Sequence, residues 1–203
     1  MTVARQTRTP ARAPLQGTAA WMCGSALVLL MVCTRGEHFA SVDALPSASW
    51  AVFFLAGALL RPRWMLPLLF GVASALDLIG LVSGSINDWC LSPAYWALAL
   101  AYAALWLGGR VYALQLHRDV WRDAARLLCA VLLSGSLAYL LSKGGFYFLS
   151  GRYPQATLGG FVARVPDYYP HALGTLAGYV GVAFALLAVL RGIATRHPIG
   201  ASA

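Results

Sequence analysis

Apolar runs close to 20 residues long recur along this chain, and no other feature constrains its fold as strongly. A helix needs about 20 consecutive apolar residues to cross the hydrocarbon of a bilayer. Six runs stand out in the 203 residues, at about 17–35, 47–60, 64–83, 93–109, 124–142 and 171–190. The second has only 14 residues between Pro46 and Arg61, which a tilted or partly enclosed helix could use. Strand-type alternation is absent, and lipid demands that backbone groups be satisfied within each segment. The prediction is an all-α integral membrane protein, a bundle of six transmembrane helices.

Composition agrees with that class. Only 11% of residues are charged, where a soluble domain carries about 25%. The formal net charge of +8 is accounted for by placement. With both termini in the cytoplasm, eleven of the 15 basic residues fall on the inner side, among them Arg61, Arg63, Arg110 and Arg126. Arg35, Lys143, Arg152 and Arg164 fall outside. No basic stripe interleaved with aromatics points to nucleic acid. The first run has a basic leader, but its core is long for a cleaved signal and "HFAS" is a weak cleavage site, so a retained helix is expected. Residues 1–16 read as a disordered basic cytoplasmic tail, 17–192 as one membrane domain and 193–203 as a second cytoplasmic tail.

The outer connections at 36–46, 84–92 and 143–170 hold most of the reactive chemistry. The last is 28 residues long and carries seven aromatics, which suggests a lid over the bundle. Asp77 lies six residues before the end of the third run, roughly 9 Å below the outer surface. A carboxyl group there costs about 2.5–3.5 kcal/mol on insertion scales, so it should face a polar cavity or a partner. A cavity-lining role and a helix-packing role, bonded to a neighbouring Ser, Tyr or Arg, both fit. Tyr95, Ala99, Tyr102 and Trp106 share one face of the fourth run. Tyr102 and Trp106 suit the bundle core or an interfacial belt, whereas Tyr95 lies beside Cys90 at the outer mouth.

Cys90 sits in "SINDWCLSPAYW", a short polar connection. Ser92 is a suitable N-cap and Pro93 suits the first helical position, which puts the sulfur two residues before a helix start. Free N–H groups and the dipole stabilise a thiolate there. A thiolate is a soft ligand for polarisable metals. No CxxC, HxxH or HExxH spacing supplies a closed zinc site. Cys23 and Cys129 read as small hydrophobes, and Cys33 lies near enough to the outer end to make a Cys33–Cys90 disulfide conceivable. The residues thus offer one sulfur to a metal that arrives already caged.

Six short helices in about 200 residues resemble the substrate-binding S-components of energy-coupling-factor (ECF) vitamin transporters. The stretch from Asp77 through "NDWCLSPAYW" is similar to the BtuM family of cobalamin transporters, in the inner membrane of Gram-negative bacteria. The resemblance implies cobalamin bound in a pocket open to the periplasm, with Cys90 ligating the corrin cobalt. It implies that Asp77, Tyr95, His38 and an Arg of the last outer loop, Arg164 in preference to Arg152, line that pocket. Trp89 and Tyr168 could pack against the corrin ring, and Asn87 could meet its amide arms. A sulfur donor opposite the cyanide of cyanocobalamin would weaken the cobalt–cyanide bond, so Cys90 could promote decyanation. An ECF ATPase module is a conceivable partner, although only Ala20 and Gly24 offer a small-xxx-small pair on the first helix. The competing readings are a membrane thiol enzyme using Cys90 with His38 or His171 as base, a noncatalytic membrane subunit, and a proton-coupled carrier using Asp77.

Overall fold

The computed structural model describes residues 15, 17–35, 45–84, 92–115 and 120–196. They form helices α1 (Gly17–Thr34), α2 (Ser49–Leu59), α3 (Met65–Val82), α4 (Ala94–Leu114), α5 (Val120–Tyr139), α6 (Gly145–Leu149), α7 (Leu158–Val162) and α8 (Val165–Arg196). No strand occurs among the described residues beyond one isolated bridge, Leu15 to Leu60. Five helical stretches are long and apolar enough to cross a membrane: Gly17–Thr34, Met65–Val82, Ala94–Leu114, Trp121–Leu149 and Val165–Leu190. The chain is therefore a multi-pass helical membrane protein.

The apolar segment with only 14 residues became α2, whose eleven residues give a rod roughly 16 Å long. It is too short to span alone and is enclosed instead. Nine of its eleven residues are buried, Phe53 and Phe54 completely. A segment apolar on every side suits a fully surrounded position. The longer helices keep apolar faces outward, with Val82, Trp96 and Leu133 more than 70% exposed. Lipid, rather than water, suits those faces.

Lipid tails are as apolar as leucine, so helix contacts here depend on close approach through small residues. Gly57 of α2 faces the Trp106 carbonyl of α4, and Gly109 of α4 faces the Phe54 carbonyl of α2. A Cβ at either position would overlap that carbonyl, so the two backbones touch because both positions are glycine.

Three boundaries differ from the sequence reading. Residues 143–149 are no loop: α5 passes through a π-helical turn at Leu140–Gly144 into α6. The Gly144–Gly145 pair reads as a helix breaker, but Gly145 packs against the Ala97 Cβ of α4, where only glycine fits. The final helix starts at Val165 rather than after Pro170. Proline costs little near a helix start, and Pro170 sits inside α8 within its second turn. The expected 28-residue lid is thus mostly helix, with 150–157 and 163–164 left outside. α8 also continues to Arg196, into what reads as a tail. In the other tail, Leu15 donates its N–H to the Leu59 carbonyl at 3.2 Å, and residues 1–14 lie outside the described set.

Candidate functional site

Four helix ends converge where α1 and α3 finish and α2 and α4 begin. The Thr34 hydroxyl donates to the Leu30 carbonyl at 2.7 Å and accepts the Ala48 N–H at 3.0 Å, which ties the end of α1 to the start of α2. Arg35 follows and turns inward, leaving 9% of its surface exposed. Its guanidinium meets Asp77 of α3 as a fork, Nε to Oδ1 at 2.8 Å and Nη2 to Oδ2 at 2.6 Å. Its Nη1 donates to the Ser49 hydroxyl of α2 at 2.9 Å and to the Tyr102 hydroxyl of α4. A planar fork with five N–H donors suits this division of bonds, which the point charge of lysine could not supply.

Asp77 gains a third donor, the Tyr95 hydroxyl, at 2.9 Å. That hydroxyl also lies 3.0 Å from Ser74 Oγ. Tyr95 has one proton, so if it goes to Asp77 the Ser74 hydroxyl donates in return. The rings are wedged as well: Tyr102 stacks on Phe53 with centroids 4.1 Å apart and planes 7° from parallel, and Phe70 lies 5.9 Å from Tyr95. One arginine thereby joins α1, α2, α3 and α4.

Of the two roles the sequence allows Asp77, the structure displays the partnered one, within a closed network. The partner, Arg35, was missed as a site residue and read only as an outside charge. One signal could have found it: an arginine at the end of an apolar run needs a counter-charge.

Beside this network lie two small cavities that share Lys143, a residue of the π-helical turn. One, about 230 Å³, is lined by Ser47, Ser49, Trp50, Tyr102, Lys143 and His171 among others. The other, about 190 Å³, is walled by Tyr139, Lys143, Tyr147, Tyr153, Arg164 and Tyr168 with two phenylalanines. The Arg164 guanidinium lies over two rings, 5.3 Å from the centroid of Tyr147 and 5.0 Å from that of Tyr153. It donates to the Gly160 carbonyl at 3.0 Å. Arg152 lines neither cavity; it is exposed, and its backbone N–H reaches the Ser150 hydroxyl at 3.3 Å. Of the two arginines, Arg164 is the one on a cavity, together with Tyr168.

His38, Asn87, Trp89 and Cys90 lie outside the described residues. Their connections, 36–44 and 85–91, are rooted at the helix ends that Arg35, Asp77 and Tyr95 hold together. The Ser92 hydroxyl makes no capping bond: it is buried and has no hydrogen-bond partner among the described residues, and α4 starts at Ala94 behind Pro93. Cys23, Cys33 and Cys129 are free thiols among the described residues, and the conceivable Cys33–Cys90 bridge involves a residue outside them. Among the described residues no three His, Cys, Asp or Glu side chains gather as a metal site. A larger cavity, about 650 Å³, runs along α1 from Gly17 to Val32 against the start of α3 and is mostly apolar. Size alone would favour it, but apart from Ser25, Arg61 and two tryptophans its walls offer a polar cargo few side-chain partners.

The class these features define is a multi-pass helical membrane protein with a buried charge network at one end. Comparison with known proteins adds no family: no family model matches the chain, and neither does any curated protein.

Proposed function

We propose that this protein is a membrane carrier that binds cobalamin at the end of the bundle holding Arg35, Asp77 and Tyr95, with Cys90 ligating the corrin cobalt. The carrying observation is the bond from Tyr95 to Asp77, 2.9 Å long. It joins α3 to α4, the two helices that the connection bearing Trp89 and Cys90 links in the sequence. Arg164 and Tyr168 line a neighbouring cavity, where a guanidinium suits a phosphate and the rings suit a flat macrocycle. Asn87, Trp89 and His38 complete the cargo contacts, as the resemblance to the BtuM family and to ECF S-components implies.

The cavities of about 230 and 190 Å³ are each smaller than a corrinoid, so loading requires the α6–α7 region to move. Asp77 is already committed to Arg35, which weakens the alternative of a proton-coupled carrier built on that carboxyl. The membrane is the bacterial inner membrane with both termini cytoplasmic. Supporting that orientation, Arg61, Arg63, Arg110 and Arg126 gather at the end opposite the charge network. Ala20 and Gly24 line the open groove of α1, where an ATPase module could contact the chain.

A thiolate opposite cyanide would also favour heterolytic loss of that ligand. The cobalt–carbon bond breaks, its electron pair leaves with cyanide, and cobalt keeps its oxidation state. The test is an absorption spectrum of protein purified from cells given cyanocobalamin, beside Cys90→Ala prepared identically. Corrinoid bands that shift with Cys90 support both cargo and ligation. Identical spectra remove the cysteine chemistry, and a colourless protein that takes up no added cobalamin ends the carrier reading.

A further inference from the structure

The groove of about 650 Å³ between α1 and α3 belongs to no part of the site above. Its wall on α1 runs from Gly17 to Val32, roughly 22 Å of helix, which exceeds one leaflet's share of a ~30 Å hydrocarbon core. Small side chains make the space: Ala20, Gly24 and Ser25 face it, and Met65 approaches Gly24 from the α3 side. A helix of that length, about 10 Å wide, would occupy on the order of 1,700 Å³. The slot therefore suits a thinner, flexible apolar chain.

Its mouth has a different chemistry. Trp21 and Trp64 bracket it with ring centroids 6.0 Å apart, and both are largely exposed, as aromatics at the headgroup level are. Arg61 lines the same mouth, and Arg63 follows two residues later in the chain. Both arginines are exposed, and neither guanidinium has an acidic partner among the described residues. An acyl-sized slot beneath an interfacial tryptophan pair and two uncompensated arginines has the form of a phospholipid site. A guanidinium fork matches phosphate, and a basic pocket at this depth favours anionic headgroups.

We propose that the α1–α3 groove seats one acyl chain of an anionic phospholipid whose phosphate is held by Arg61, with Arg63 adding charge selectivity. The proposal stands apart from the cobalamin reading, since the groove shares no lining residue with the Arg35 network or with the two cavities beside it.

Native mass spectrometry of delipidated protein, titrated with phosphatidylglycerol or phosphatidylcholine of identical chains, tests it. The expected result is one phosphatidylglycerol retained at about tenfold lower concentration than phosphatidylcholine. Arg61→Ala/Arg63→Ala, which removes two exposed side chains, should erase that preference without changing phosphatidylcholine retention. Ala20→Phe, which narrows the slot, should weaken both lipids, with its melting temperature checked against the parent. Equal retention of the two lipids by the parent overturns the proposal and marks a nonselective annulus. So does retention that appears only when residues 1–14 are deleted, which would make the chain's own tail the occupant.

Discussion

Both ends of α2 are held by an arginine from another helix or its end, and the two are held in opposite ways. At the start of α2, Arg35 is buried, forks onto Asp77 and satisfies two hydroxyls besides. At its far end, Arg110 of α4 donates Nη1 to the Leu60 carbonyl at 3.2 Å and the Arg61 carbonyl at 2.9 Å, and its charge lies over the Trp106 ring. The second arrangement needs no counter-ion, because the carbonyls it reaches lie just past the helix end, on the negative side of its dipole, and the guanidinium is partly exposed. The first cannot do without one. Arg35 is buried there, and a guanidinium withdrawn from solvent needs a counter-ion within reach. That difference accounts for Asp77, the carboxylate set furthest from the ends of its apolar span, lying at this end.

The largest expected effect follows from removing that acid. Asp77→Ala leaves the Arg35 guanidinium buried and uncompensated, a loss of about 3–5 kcal/mol for a fully buried pair. A fall in melting temperature well beyond that of any substitution at the other end, measured in detergent, is the expected outcome. If the fall matches that of Arg110→Met, the contrast between the two ends collapses.

Removing both charges sharpens the same point. Arg35→Met/Asp77→Leu replaces the pair with apolar side chains of similar size, and such exchanges are often neutral or stabilising. The double variant should therefore be more stable than Asp77→Ala. A double-mutant cycle in which the losses simply add would show that the two residues are not coupled.

Tyr95→Phe removes the hydroxyl that joins α4 to Asp77, with an expected loss of about 1–2 kcal/mol for a bond to a charged acceptor. Its wider consequence should be seen in hydrogen exchange, where amides of 92–95 and 82–84 should lose protection together. Loss confined to α4 would mean that the bond does not tie the two roots. Smallest of all, Arg110→Met should cost about 1 kcal/mol or less, and the cost should be screened by salt, since the guanidinium is partly open to solvent. A loss insensitive to salt would point to packing against Trp106 instead.

The spanning helices were largely legible in the sequence, because apolar length is a local property. α3 and α4 lie close to where their runs predict. α2 was legible as a segment but not as an enclosed strut, since enclosure depends on Gly57 meeting Trp106 and Gly109 meeting Phe54, pairs about 50 positions apart in the chain. The run of 143–170 reads as a loop for a related reason. The glycines of "KGGF" look like a break when taken alone, and only Ala97 on another helix shows why Gly145 is needed. In the site, Asp77 and Tyr95 could be picked out by residue type and depth, whereas Arg164 and Tyr168 are named as site residues only through the family resemblance. Arg35 could not be matched to its acid, 42 residues away, from composition or periodicity.

Because an arginine grips each end of α2, that helix works as a gauge block between the two faces of the protein. One residue inserted into it would lengthen it by about 1.5 Å and turn one end by roughly 100° relative to the other. Ser49 and the carbonyls of Leu60 and Arg61 could not then both meet their arginines. The strut should accept many apolar replacements of equal bulk, yet no change in its count of eleven.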